Sequence, residues 1–330
     1  MKIISAIFLI ISLNSFSQNE PFYFEGNAQG TTFHITYFDS LERDFQIEVL
    51  TILDDFDQSL STYLPNSIIS RINRGEENVK VDKYFITCFN QAKEIWKSTK
   101  GNFDPTVYPL VNAWGFGPGK KQKIEQKLID SLLQFVGFEL IELKGEYIFK
   151  KDARVALDFN AFAQGYSVDV VSDFFKSKGV TSFIVEIGGE VYANGKQADG
   201  KDWLIGIEQP YDNKETGNPL KEIIKLNNLA VATSGNNRRF FVENGVKYAH
   251  HIDPKTGYPA KNTLLSASIF AEKCIVSDAT ATGLLVMGLE KAKKYFKKHK
   301  EIQAYLIYSD DKGNFQIYET SGFRKLVYQE

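Results

Sequence analysis

The spacing of apolar and polar positions changes several times along the chain, and each change predicts an element. Phe33-His34-Ile35-Thr36-Tyr37 alternates at the strand period. Apolar residues at 45, 49, 52, 53 and 56 fall at helical spacing, and Ile86, Phe89, Ala92, Ile95 and Trp96 repeat it in a second helix closed by Gly101. The same reasoning predicts helices over 123–135, 163–178, 277–287 and 289–299. Strands are predicted over 182–187, 203–207, 222–226, 229–233, 239–243, 264–271, 303–308 and 314–318, with a hairpin over 147–157. Residues 115–121 and 211–220 carry the Gly and Pro of surface loops. Helices and strands interleave without a regular strand–helix–strand beat. That predicts an α+β fold with mixed sheets and packed helices.

Composition narrows the class only slightly. The 330 residues are 43% hydrophobic and 24% charged, which excludes a disordered or collagen-like chain and is enough for one large domain. A net charge of −2 leaves no electrostatic footprint for nucleic acid. The N-terminus changes the picture more. Lys2, an apolar run from Ile3 to Leu13 and small residues Ser15 and Ser17 form a secretory signal cleaved near Ser17. The expected organisation is therefore a leader over 1–17 and one domain over 18–330, exported to the periplasm. An association with the inner membrane is compatible with this, and no Cys follows the apolar run to carry a lipid. Export places Cys88 and Cys274 in an oxidising compartment. Cys88 falls on an apolar helix face and Cys274 at the end of an apolar strand, so two buried thiols are expected in preference to a disulfide.

Several motifs fail on inspection. Residues 115–121 lack the first glycine and the hydroxyl of a phosphate loop. Thr233-Ser234-Gly235 has Ala232 where a nucleophile elbow needs glycine. His250-His251 would point to opposite faces of a strand and could not share a zinc ion. The lysines at 293, 294, 297, 298 and 300 read as the solvated face of an amphipathic helix. One motif carries chemistry by spacing. Asp278 and Thr282 stand four apart on a predicted helix and so share a face, with small residues at 279 and 281. Hard oxygen donors of this kind suit Mg²⁺ completed by substrate phosphate, although an Asp N-cap followed by a surface Thr is the simpler explanation.

The order of short motifs is more specific than any one of them. Gly30-Thr31-Thr32, then Asn102-Phe103-Asp104-Pro105-Thr106 leading to Trp114-Gly115-Phe116-Gly117, then Asp158 to Tyr166, Thr233-Ser234-Gly235, His250 to Gly257 and Asp278 to Thr282 follow one another along the chain. Together they resemble the ApbE family of FAD:protein FMN transferases, from about Gly26 to Gly288.

The resemblance implies an ApbE-like fold with a flavin cleft between two lobes. It implies FAD as substrate, its pyrophosphate meeting Mg²⁺ held by Asp278, Thr282 and the Ala161 carbonyl. Gln29, Tyr63, Asn102, Phe103, Asp104, Asp158, Gln164 and Ile252 match the family's cofactor-contacting positions. Gln164 falls where many relatives carry Lys or Glu, and it adds no charge there. The implied reaction joins FMN to a Thr or Ser hydroxyl of an acceptor and releases AMP. His250, three residues before Asp253-Pro254, is the candidate base, with His251 second; a strand histidine bonded into the turn is the plain alternative. The implied acceptor is an exported or membrane-bound flavoprotein such as a sodium-pumping or Rnf-type redox subunit. Two other activities stay open: a Mg²⁺-dependent FAD pyrophosphatase giving FMN and AMP, and a non-catalytic periplasmic FAD-binding protein.

Overall fold

A computed structural model describes residues 20–208, 220–236, 240–243 and 246–329. The leader and most of the 211–220 excursion lie outside the described residues. The chain opens with a hairpin of β1 (Phe22–Ala28) and β2 (Thr31–Phe38), in which Ala28 pairs Thr31. Its two-residue turn puts both Gln29 (φ 55°) and Gly30 (φ 72°) in the left-handed region, as a tight hairpin matched to strand twist requires. Helices α1 (Gln46–Leu60), α2 (Ile68–Asn73) and α3 (Lys83–Ser98) follow. Asp82 caps α3 by accepting the Phe85 N–H, and Ser67 does the same for α2 from Ser70.

Two short helices, α4 (Tyr108–Trp114) and α5 (Gln126–Leu133), precede the small hairpin of β3 (Ile141–Lys144) and β4 (Tyr147–Lys150). The hairpin expected over 147–157 therefore lies one strand earlier; its turn is at Gly145 (φ 59°), and 151–157 is irregular. Then come α6 (Ala163–Ser177), β5 (Ser182–Ile187), β6 (Glu190–Asn194), β7 (Trp203–Glu208), β8 (Leu220–Leu226) and β9 (Leu229–Gly235). The last third holds β10 (Phe240–Glu243), β11 (Val246–Ala249), β12 (Leu264–Ala271), α7 (Cys274–Met287), α8 (Leu289–Phe296), β13 (Gln303–Ser309) and β14 (Phe315–Glu319).

Eight strands form one sheet in the order β1-β2-β5-β6-β9-β12-β13-β14, and three two-stranded ribbons pair β3 with β4, β7 with β8, and β10 with β11. The α+β class stands, but the mixing is of helices with sheets: every named strand pair is antiparallel. One face of the sheet is covered by α6, α7 and α8 through Phe175, Phe183, Leu284 and Leu306. Trp203, Ile224 and Phe323 close the other face. A helical cluster around Phe56, Phe85, Phe159 and Phe162 also takes Ile275 and Ala279 of α7, so α7 lies at the seam between helices and sheet. Among the described residues no helix is long and apolar enough to cross a membrane. Both thiols are free and buried. Cys274 is the first residue of α7 rather than the end of a strand, and burial pushes both thiols well above their usual range.

The start of α7 is held from α6. Asp169 accepts the Cys274 N–H at 2.8 Å and the Ile275 N–H at 2.9 Å, two donors a helix cannot satisfy itself. Burial wins over these bonds and lifts the Asp169 carboxyl to about 6. An acid raised in the native state adds stability that is complete below its unfolded value near 4 and is lost as pH rises through about 6. Between pH 4.5 and 8 the parent should therefore lose about 2 kcal/mol relative to Asp169→Asn, on top of a constant offset from the altered bonds. Denaturant titrations at the two pH values measure this. An identical pH dependence in the two proteins would mean that the carboxyl titrates normally.

Candidate active site

Because α7 begins at Cys274, Asp278 stands one turn inside the helix and Thr282 one turn further along the same face. The N-cap explanation for Asp278 therefore fails. Asp278 is buried, and its Oδ2 accepts the Gly165 N–H at 3.0 Å. Gly165 is the third residue of α6, where backbone N–H groups have no partner within the helix. The carboxylate thus occupies the positive end of α6. This approach requires glycine, since a Cβ at 165 would lie 2.7 Å from both the Asp278 Cβ and the Cys274 carbonyl oxygen.

Thr282 Oγ1 stands 3.2 Å from the Ala161 carbonyl oxygen and 3.2 Å from Ser234 Oγ near the end of β9. Carboxylate, hydroxyl and backbone carbonyl are hard donors and too few to enclose an ion alone. Such a set fits Mg²⁺, which keeps open positions for water and substrate oxygens. Among the described residues no group of three His, Cys, Asp or Glu stands together.

The segment 158–167 joins the other expected residues to this cluster. Asp158 is buried; its N–H donates to the Pro105 carbonyl at 2.8 Å and its Oδ1 accepts the Asn160 N–H at 2.8 Å. Asn160 Nδ2 reaches Thr62 Oγ1 at 2.9 Å, and the neighbouring Tyr63 is 55% exposed, leaving its ring face available. Ser167 Oγ lies 2.7 Å from the Gln164 carbonyl and 3.1 Å from Gln29 Oε1, so the hairpin turn abuts α6. The Gln29 Nε2 is buried with no protein partner, a donor ready for a ligand oxygen. The Gln164 amide lies against Gly188 and Thr31, where a Cβ on Gly188 would come within 3.0 Å.

The tripeptide 102–104 is deeper than a contact surface needs. Asn102 donates to the Thr99 carbonyl, and Phe103 packs edge-on against Phe162 at 5.4 Å. Asp104 Oδ1 accepts both the N–H and the hydroxyl of Thr106 while Oδ2 accepts the Phe138 N–H at 3.0 Å; burial nevertheless lifts its carboxyl to about 6. Its side chain holds the turn that delivers Pro105 to Asp158. Ile252 is buried with Leu110, Trp114 and Ile129. Trp114 Nε1 donates to the Gly257 carbonyl at 2.8 Å, tying the tryptophan loop to the turn after the histidines.

The two histidines do not alternate across a strand, because β11 ends at Ala249 and the chain turns at His250. Their rings are 3.9 Å apart, centroid to centroid, at 40°. His250 is half-buried, its ring in an edge-to-face arrangement with Phe116 at 6.3 Å between centroids. His251 is buried, its Nδ1 3.2 Å from Asn236 Oδ1. Burial, then the charge His250 would carry, holds His251 well below its usual range, so His251 is kept neutral. Asn236 follows β9 two residues after Ser234, about 7 Å along the chain, so strand geometry brings histidine pair and Thr282 to one end of the sheet.

Of the residues expected from sequence, Asp278, Thr282, the Ala161 carbonyl and His250 lie toward one end of the sheet. Sequence reasoning did not name Ser167 or Asn236, and it named Phe116 only as part of the tryptophan loop; the contacts of all three are with distant segments. A hydroxyl–carboxylate–carbonyl cluster and an imidazole pair at one end of the sheet form a candidate active site in an α+β fold. Comparison with known proteins agrees. Residues 29–306 match the model of the ApbE family. The chain is 33% identical over 316 residues to an FAD:protein FMN transferase of Vibrio cholerae, covering 93% of each chain. It is 35% identical over 317 residues to one from Haemophilus influenzae, covering 92% of this chain and 90% of the other. Among solved structures, flavin transferase ApbE from Vibrio cholerae matches with a TM-score of 0.84 at 32% identity, over 93% of this chain and 99% of that one. The apo flavinyl transferase ApbE of Pseudomonas stutzeri gives 0.83 at 30%, over 93% and 97%. The chain belongs to the ApbE family.

Proposed function

We propose that the protein is a Mg²⁺-dependent FAD:protein FMN transferase, exported to the periplasm, that modifies a Thr or Ser hydroxyl of an exported or membrane-bound redox flavoprotein. The observation that supports this most is the convergence of Asp278, Thr282 and the Ala161 carbonyl with the His250–His251 pair at one end of the sheet. Asp278, Thr282 and the Ala161 carbonyl would hold Mg²⁺, which when bound neutralises pyrophosphate charge and eases departure of the leaving phosphate. Tyr63, Gln29 and Gln164 line the approach and orient FAD. Gln164 contributes hydrogen bonds without charge.

The acceptor hydroxyl attacks the phosphorus on the riboflavin side of FAD. The new O–P bond forms as the bond to the AMP phosphate breaks, so FMN stays on the acceptor as a phosphoester and AMP departs. His250 takes the hydroxyl proton and returns it to solvent after release. Sodium-pumping and Rnf-type redox subunits are the acceptors proposed first.

Residues 18–330 incubated with FAD, Mg²⁺ and a candidate acceptor should add one FMN to the acceptor, read by intact-mass spectrometry. The addition should vanish with EDTA or without the acceptor hydroxyl. FMN and AMP release with no acceptor modified, across several acceptors, would replace the transferase by a pyrophosphatase. Bound, intact FAD without products would make the protein a carrier.

A further inference from the structure

His251 has no part in the reaction as described above, yet it is among the most constrained side chains near it. Asn236 donates through Nδ2 to the Leu264 carbonyl at 2.9 Å, and its backbone N–H donates to the Leu265 carbonyl at 3.0 Å. With the amide nitrogen committed to a carbonyl, the oxygen Oδ1 must be the atom that faces His251. An amide oxygen only accepts, so the His251 nitrogen opposite it, Nδ1, must carry the hydrogen. The ring is thereby fixed both in plane and in tautomer, Nε2 keeping the lone pair. Its ring lies 3.9 Å from that of His250 between centroids, tilted by 40°, and the Phe116 ring meets His250 edge-to-face with centroids 6.3 Å apart.

We infer that His251 is a positioning residue for His250: Asn236 fixes its ring plane and its Nδ1–H tautomer, and its buried face sets the orientation of the His250 ring. The inference deepens the transferase reading and rests on His250 as its base. A base must present one nitrogen lone pair along the line to the hydroxyl proton, and small misplacements are expensive in rate. The His251 ring, fixed by Asn236 and 3.9 Å from the His250 ring centroid to centroid, limits the rotations open to the His250 imidazole. Ser234 and Asn236 belong to the same chain end, so the strand that touches Thr282 also orients the base.

Two measurements test this on the full mature chain. In ¹⁵N-imidazole NMR of the parent at pH 8, His251 should show a protonated Nδ1 and an unprotonated Nε2. A neutral ring carrying its proton on Nε2 would overturn the locked tautomer. In steady-state assays with FAD, His251→Ala should lower kcat about 10- to 100-fold while KM for FAD stays within about twofold, as expected of lost orientation rather than lost binding. His251→Phe, which keeps a ring face, should recover kcat to within about threefold of the parent. Equal losses in the Ala and Phe variants, or no loss in either, would sink the inference. His250→Gln separates the two levels: full turnover in that variant removes the base itself, whereas loss there with a silent His251→Ala removes only the positioning role.

Discussion

An Asp278→Asn variant should fold normally and lose about 10²–10³-fold in AMP release and FMN transfer, with FAD still retained. The reasoning is local. Asn is nearly isosteric with Asp, and its carbonyl oxygen can still accept the Gly165 N–H that Oδ2 accepts at 3.0 Å. The packing of α7 against α6 is therefore preserved. What disappears is the negative charge at the point where Thr282 and the Ala161 carbonyl offer only neutral oxygens, and a hard divalent cation binds weakly without a carboxylate. Thr282→Ala removes a neutral donor and should be milder, about tenfold, since the carboxylate stays. Coupled assays for AMP, with Mg²⁺ titrated in each variant, check the order. Turnover at parental level in Asp278→Asn would eliminate the metal assignment. Loss of FAD retention together with turnover would show that the carboxylate organises the binding cleft as well.

How much of this could be read in advance depended on whether the signal was local. β5 and β12 fall where period and β-branched content placed them, Ser182–Ile187 and Leu264–Ala271. The hairpin of β1 was missed because its turn is Gln-Gly, whereas the usual signature places Asn or Asp at the first left-handed position. β6 was missed because four of its five residues are buried, leaving no alternation to detect. Within the site, Asp278 and Thr282 share a face through helix periodicity alone. The junction of Ser234 with Thr282 spans 48 positions and that of Ala161 with Thr282 spans 121, and nothing in the local sequence encodes either. The histidine pair was misread for a definite reason: strand alternation was applied to two residues that lie beyond a strand, β11 ending at Ala249. Asp104 shows the converse limit. Its segment was identified, but the direction of its carboxylate, toward Thr106 and Phe138, is a tertiary property.

Gly165 turns the contact between α6 and α7 into a quantitative expectation. Replacing a helical glycine by alanine ordinarily stabilises by about 1 kcal/mol, because glycine has more backbone freedom to lose. At 165 the new methyl would sit 2.7 Å from a backbone carbonyl oxygen and 2.7 Å from the Asp278 Cβ. Neither is the far end of a flexible side chain, so the helices must separate. Overpacking of this kind costs about 1–3 kcal/mol or more, enough to reverse the propensity gain. Gly165→Ala should therefore be destabilised overall by about 1–2 kcal/mol. The displacement also carries Asp278 with it, so kcat should fall by up to about 10²-fold even where the variant is fully folded. Gly283, also on α7, is the control: its added Cβ would meet the Thr99 methyl at 3.0 Å and the Phe103 Cβ at 3.4 Å, a tight but side-chain contact. Gly283→Ala should stay within about 1 kcal/mol of the parent, the propensity gain offsetting the crowding. Denaturant unfolding and AMP release on both variants decide the matter. A Gly165→Ala protein as stable and active as the parent would mean that α6 and α7 have slack near Asp278, and that Asp278 is not held in place by the closeness of the two helices.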